Sequence, residues 1–336
     1  MKKIILLFCA NILLTACGTS QNKGKLEANT TAIKYANTIV AKQLKNMLYT
    51  YASDAFEGRK TGELGQKKAV NYLKEQYVAL GIESPIAEGD YFQKIPASYF
   101  DGDFNDSENV VAYIKGSEKP DEIIVISAHL DHVGVSKKGE VYNGADDDGS
   151  GTVAILEIAE AFKKASKDGH GPKRSILFLH VTGEEIGLYG SRYYTDEAPL
   201  FPLANTVANL NIDMIGRVDT KHEGKDNYLY LIGSDKLSKE LHNLSEKVNN
   251  TYTNMEFDYT YNDDNDPNRF YYRSDHYNFA KNNIPVIFYF NGTHDDYHRP
   301  TDTPDKINYE FLETRTRLIF YTAWELANRS DRIKVD

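Results

Sequence analysis

Ser127-Ala-His-Leu-Asp-His-Val-Gly134, followed after a short polar turn by Tyr142-Asn-Gly-Ala-Asp-Asp-Asp-Gly-Ser-Gly151, is the stretch on which the fold turns. Ahead of it Ile123-Ile-Val-Ile126, apolar and β-branched, reads as a buried strand. Behind it Thr152, Val153, Ile155, Leu156, Ile158 and Ala159 recur at helical spacing. A strand therefore ends in His129-Leu-Asp131, and a loop carrying Asp146, Asp147 and Asp148 enters a helix. Adjacent carboxylates repel one another. They are either a solvated acidic turn or a place where a divalent cation inverts the local electrostatics.

The same pattern recurs along the chain. Strands are expected over 109–114, 175–181, 207–212, 228–232 and 286–290. The 175–181 run leads to Thr182-Gly-Glu-Glu185, the 207–212 run to Asp213, and the 286–290 run to His294-Asp-Asp-Tyr-His298. Helices are expected over 31–48, over 69–80 with Gly81 as its stop, and over 190–194, 237–248, 274–281 and 311–328. Residues 84–106 read as irregular, and 250–273, with five tyrosines, as a surface excursion that supplies pocket walls. Strands alternating with helices predict an α/β fold. It has three αβα layers, with a central mixed, mostly parallel sheet covered by helices on both faces. Ligands of such sheets bind outside the carboxyl ends of the strands. His129, Glu184-Glu185, Asp213 and the 294–298 cluster all follow strand ends, so one rim should gather them.

Length and charge narrow the partners. The chain has 336 residues, 24 of them tyrosine, and a net charge of −10 with no lysine- or arginine-rich block, which excludes nucleic acid as a partner. Lys2 and Lys3 precede an apolar run over 4–14 that is too short to span a bilayer. Leu14-Thr-Ala-Cys17 then resembles the lipobox of bacterial lipoproteins. That resemblance implies a signal peptide over 1–16, cleavage before Cys17, and a lipid on Cys17 that ties the protein to a membrane. Gly18 and Thr19 follow with no aspartate, which implies an outer-membrane anchor facing the periplasm. Cys9 leaves with the signal, so no thiol remains for a disulfide or for nucleophilic catalysis. Residues 17–30 read as a tether and 31–330 as a single domain. Nothing in the sequence signals an oligomeric state.

Two imidazoles and several carboxylates suit zinc, which takes His nitrogen and Asp or Glu oxygen. One catalytic zinc needs three protein ligands, and here there are enough for two ions if one aspartate bridges them. Two Zn²⁺, three carboxylates and one hydroxide sum to zero charge. If Glu184 and Glu185 continue the strand, they project to opposite sides, so that one binds metal and the other serves as a base.

Ala128-His-Leu-Asp-His132, Gly144-Ala-Asp-Asp-Asp-Gly-Ser-Gly151, Thr182-Gly-Glu-Glu-Ile-Gly187, Asn211-Ile-Asp-Met-Ile-Gly216 and Asp296-Tyr-His-Arg-Pro-Thr-Asp-Thr303 occur in that order. Together, over roughly 50–325, they resemble the co-catalytic di-zinc aminopeptidase family, to which bacterial leucyl aminopeptidases and glutamate carboxypeptidase-type enzymes are related. The resemblance implies that His129 and Asp213 hold one zinc, Glu185 and His298 the other, and Asp147 both. It implies a general base at Glu184, acting with a metal-bridging hydroxide on peptide substrates. Asp131 would orient His129, and Tyr297 would steady the tetrahedral oxyanion. Ser274-Asp-His276 would line the pocket, while His132, His180 and His294 receive no role. A glutaminyl cyclase with one zinc, a carboxypeptidase on the same scaffold, and a non-catalytic peptide-binding lipoprotein are the competing readings.

Overall fold

The computed structural model describes residues 26–225 and 227–336. The expected signal peptide, Cys17 and the first part of the expected tether lie outside them. Residues 27–30 are exposed, while Leu26 touches the domain. Its carbonyl accepts from Thr251 Oγ1 and its side chain packs on the core. Among the described residues no helix is long and apolar enough to cross a membrane.

Helices α1 (Thr30–Ala36), α2 (Ala41–Tyr51) and α3 (Leu64–Leu80) come first. The single helix expected over 31–48 is two. Asn37 caps α1, Thr38 Oγ1 bonds back to the Tyr35 carbonyl, and Val40 is extended before α2. Thr38, Ile39 and Val40, all β-branched, favour that break over a continued helix. Strand β1 (Phe92–Ile95) lies where the chain was expected to be irregular, and pairs antiparallel with β2 (Ser107–Ile114). Then follow β3 (Lys119–His129), a small ribbon of β4 (Gly134–Val135) and β5 (Val141–Tyr142), α4 (Gly151–Lys167) and β6 (Arg174–Val181). The second half contains α5 (Tyr189–Arg192), β7 (Thr206–Ile212), β8 (Tyr228–Ile232), α6 (Lys239–Tyr252), β9 (Glu256–Asp258), α7 (His276–Ala280), β10 (Val286–Phe290) and α8 (Tyr309–Asn328). The 250–273 excursion is therefore not irregular throughout. It ends α6, adds β9 to the sheet edge and contains two short 3₁₀ turns.

The eight-stranded sheet has the order β1-β2-β6-β3-β7-β10-β8-β9. Its centre, β6-β3-β7-β10, is parallel throughout. Alternating residues sort to the two faces, as a pleated strand requires. Ile124, Ile126 and Ala128 join the larger core with Ile155, Phe162, Phe320 and Trp324 of α4 and α8. Ile123 and Val125 join Tyr194, Phe279 and Ile284 on the other face. This is the expected three-layer arrangement, with its heavier helical layer on one side.

Candidate metal centre

Strand register explains why the predicted donors meet. In the β3–β7 pair Ser127 is opposite Asn211, so His129 and Asp213, each two residues on, leave the sheet at one level. His129 is opposite Val181 of β6, and Glu184-Glu185 lie on the turn just beyond. Tyr289 of β10 is opposite Ile212, which starts the 294–298 loop beside Asp213. The chain leaves β3 for β6 on one side and leaves the adjacent β7 for β8 on the other, so the rim between β3 and β7 is a topological switch point of the sheet.

The triple-aspartate loop is held by hydrogen bonds as much as by charge. Gly144 turns with φ 54°, where an added Cβ would meet the Asp147 carbonyl at 2.3 Å and the His132 ring at 2.6 Å. Asp302 accepts from the backbone N–H of Asp146 at 3.0 Å and of Asp147 at 3.2 Å. Asp146 in turn accepts from Gly216 N–H at 2.7 Å and faces His294 Nε2 at 3.1 Å. Asp148 takes N–H groups of His129, Gly151 and Met214. Two of the three aspartates are thus consumed by backbone donors, and mutual repulsion was an incomplete reason to expect a cation. Asp147 places its two oxygens against two different imidazoles, while an Asp148 oxygen lies within 4.8 Å of donor atoms of His129 and Asp213.

Asp147 Oδ1 lies 3.1 Å from His129 Nε2, which is 3.6 Å from Asp213 Oδ1. Asp147 Oδ2 lies 3.0 Å from His298 Nε2, and that nitrogen is 3.0 Å from Glu185 Oε2. Two ligands of one tetrahedral zinc, each bonded at about 2.0–2.1 Å, sit roughly 3.3 Å apart. Both halves have that spacing, with Asp147 common to them. His132 belongs to the neighbourhood after all. Its Nδ1 is 2.6 Å from Glu185 Oε1 and 3.7 Å from Asp147 Oδ2. Donor atoms of His132, Asp147 and Glu185 all lie within 4.8 Å of one another, and both His132 ring nitrogens are buried without a hydrogen-bond partner. His180, by contrast, is a core residue bonded to the Tyr77 hydroxyl at 2.7 Å.

Charge and unsatisfied atoms test whether zinc fits. His129 Nε2, Asp147 Oδ2 and Glu185 Oε1 are buried without a hydrogen-bond partner, an arrangement native proteins seldom leave unfilled. Burial works to strip the proton from His129. Glu184, Asp147 and Asp213 outweigh it and raise the imidazole well above its usual range. Burial likewise opposes protonation of His298, but Asp147 and Glu185 push that ring up to about 10. At Asp147 burial is overcome by His132, His129 and His298, which hold the carboxyl well below its ordinary value. The centre demands positive charge. A divalent cation supplies it and leaves the imidazoles neutral, as metal ligation requires.

Glu184 and Glu185 do diverge, though on a turn beyond the strand. Glu184 lines a cavity with Asp147, Asp213, Met214, Phe270 and Tyr297, and its Oε2 is 4.0 Å from His129 Nε2. Burial first, then the charges of Asp213 and Glu185, pushes the Glu184 carboxyl well up, with His129 opposing. Asp131 acts differently from the expectation. The His129 Nδ1 partner is the Asp131 main-chain carbonyl at 3.1 Å, with the carboxylate 3.8 Å away. That carboxylate accepts from Thr61 Oγ1 and from Glu184 N–H, so it steadies the turn bearing Glu184. Tyr297 stacks on His298, ring centres 3.9 Å apart, and lines the cavity.

Two supports escaped sequence reasoning. Ser274 was expected to line the pocket. Instead it stands behind the centre, donating to Asp213 Oδ2 at 2.7 Å and accepting from Asn211 Nδ2. Arg59, fully buried, donates to the carbonyls of Leu130, Asn143 and Gly144, clamping the His129 and Asp147 loops together. The excursion contributes Phe270 and Arg273 to the cavity, and Tyr261 packs against Phe270.

Comparison with known proteins agrees with this geometry. Residues 109–323 match the model of peptidase family M28. The chain is 30% identical to leupeptin-inactivating enzyme 1 of Streptomyces exfoliatus over 171 residues, 51% of this chain and 34% of that protein. It spans between 14% and 55% of the lengths of curated relatives such as this one. In fold it resembles the LapA aminopeptidase of Legionella pneumophila, with a TM-score of 0.70 and 22% identity over 98% of this chain and 81% of that one. It also resembles a glutaminyl cyclase of Porphyromonas gingivalis, with a TM-score of 0.66 and 18% identity over 85% and 98% of the two chains.

Proposed function

The chain belongs to peptidase family M28, and from that premise we propose that it is a zinc-dependent aminopeptidase with two ions per chain. One observation carries the reading. Asp147 presents one oxygen to His129 and the other to His298, at 3.1 and 3.0 Å, so a single carboxylate serves two donor sets. His129 and Asp213 complete one set, Glu185 and His298 the other. A single-zinc cyclase would leave one of these sets without an ion.

Zinc, when bound, supplies the Lewis acidity that polarises the scissile carbonyl and makes water a nucleophile at neutral pH. The side chains do the rest. Glu184, beside the ligands but outside both sets, takes a proton from the attacking water and delivers it to the leaving amine. Asp131 fixes the Glu184 turn through its N–H. Tyr297, on the cavity wall, donates its hydroxyl proton to the developing oxyanion.

Amino-terminal specificity follows from the acidity of the cavity. Glu184, Asp147 and Asp213 line it together, so a protonated α-amine finds charge-assisted partners there. Acetylating that amine removes the charge and two donors. Turnover of blocked aminoacyl substrates by the zinc-loaded protein should fall about 10²-fold or more relative to free ones. Equal turnover of both would mean an endopeptidase, and a strict need for a free carboxyl terminus a carboxypeptidase.

The cellular address is part of the same proposal and rests on Lys2-Lys3, the apolar run over 4–14 and Leu14-Thr-Ala-Cys17. Lipid on Cys17 would anchor the enzyme to the outer membrane, facing the periplasm. Cys17→Ser should move it from the membrane fraction to the soluble one, and unchanged fractionation would count against a lipid anchor.

A further inference from the structure

The cavity at the metal centre is small, about 30 Å³, and opens past Phe270, Arg273, Thr293 and Tyr297 into an outer one of about 640 Å³. The inner walls are aromatic and acidic, with Arg273 as their only cation. The outer cavity adds Asn268, His294, Asp295 and Arg299. Arg273 stands over Phe270, its guanidinium carbon 5.0 Å from the ring centre, and its one side-chain hydrogen bond is a 3.5 Å contact with the Asn268 carbonyl.

Most arginines near this rim are already committed. Arg217 pairs with Asp296 at 3.0 Å, and Arg59 and Arg315 spend their donors on backbone carbonyls. Arg273 and Arg299 differ. Among the described residues no carboxylate pairs with either, although Asp295 lines the same outer cavity. Two unneutralised guanidinium groups at one mouth, in a chain of net charge −10, form a local positive field beside an acidic centre. A guanidinium fork matches a carboxylate geometrically, and stacking on an aromatic ring pre-orders it for that contact.

We infer that Arg273, assisted by Arg299, binds a carboxylate of the peptide substrate, so that the enzyme prefers short or acidic peptides over neutral ones. The inference rests on the peptidase reading and adds to it the charge of the substrate. The amine end is drawn to Glu184 and its neighbours, and the carboxylate end to the arginine rim. That carboxylate is either the carboxyl terminus of a dipeptide or tripeptide, or an acidic side chain beside the scissile bond.

Matched peptides distinguish the two sources. One pair is a dipeptide and its carboxyl-terminal amide, and the other a glutamyl peptide amide and its glutaminyl counterpart. Both pairs are titrated calorimetrically into zinc-loaded Glu184→Gln protein, and turned over by the parent enzyme. The carboxylate member of one pair should bind about tenfold more tightly than its neutral twin, as a charge-assisted contact to arginine allows. The preference should shrink with added salt. Arg273→Met should bring the twins to parity, Arg299→Met should lessen the preference, and Arg273→Lys should restore part of it. Melting temperatures check that each variant is folded. The pair that shows the preference identifies the source. Twins that bind equally to the parent site, or a preference that survives in both methionine variants, would overturn the inference. Binding with the expected preference but no turnover of any peptide would leave it standing and sink the peptidase reading instead.

Discussion

Glu184→Gln is expected to lower kcat by about 10²–10⁴-fold, the usual worth of a general base, with KM little changed and two zinc ions retained. Glutamine keeps the shape of the side chain and loses only its ability to take a proton. The metal sphere should not notice. Glu184 approaches His129 Nε2 only to 4.0 Å, whereas ligand pairs in the two halves stand at 3.0–3.6 Å. The hydrogen bond that positions Glu184 comes from its backbone N–H to Asp131, and the substitution leaves it intact. Metal analysis, a melting curve and steady-state kinetics on one preparation settle the matter. A variant that lost zinc would move Glu184 into the coordination sphere, and one with full activity would end the general-base assignment.

The neighbouring residue should fail in a different way. Glu185→Ala removes one of three donors around the His298 half, so that ion should be lost and activity with it. His132→Ala tests the side chain that stands against Glu185. Groups that orient a ligand typically contribute 10–100-fold in metal affinity, so a weakened but measurable second site is expected. Competition with a zinc-sensitive dye reads both variants without any assay of catalysis. If His132→Ala lost the ion as completely as Glu185→Ala, His132 would be a ligand in its own right.

The donors themselves were legible because parallel sheets advertise their binding edge. An apolar run that leads within a few residues to a His, Glu or Asp marks a strand end, and four adjacent strands here end at one level. What stayed hidden is whatever depends on contacts between distant segments. Asp146 and Asp148 look identical to Asp147 in sequence, and differ only because Gly216 and Met214 bring N–H groups to them. Ser274 looks like a pocket residue until β7 places Asp213 beside it. Local signals failed in a second, smaller way. The four-residue β1 is too short to show alternation, and the break between α1 and α2 interrupts an apolar stripe that continues in register across it.

The two clamps on the Asp147 loop carry a consequence for biosynthesis. Arg59 reaches the loop across 84 and 85 residues of chain, and Asp302 across 156 and 155. Contacts this remote must close long loops before they contribute anything. A nascent chain can therefore build α4 and the middle of the sheet, yet cannot fix Asp147 in place until residue 302 has emerged from the ribosome. Any metal held through Asp147 would then be captured late, and a chain cut short before Asp302 lacks the acceptor that holds the Asp146 and Asp147 N–H groups.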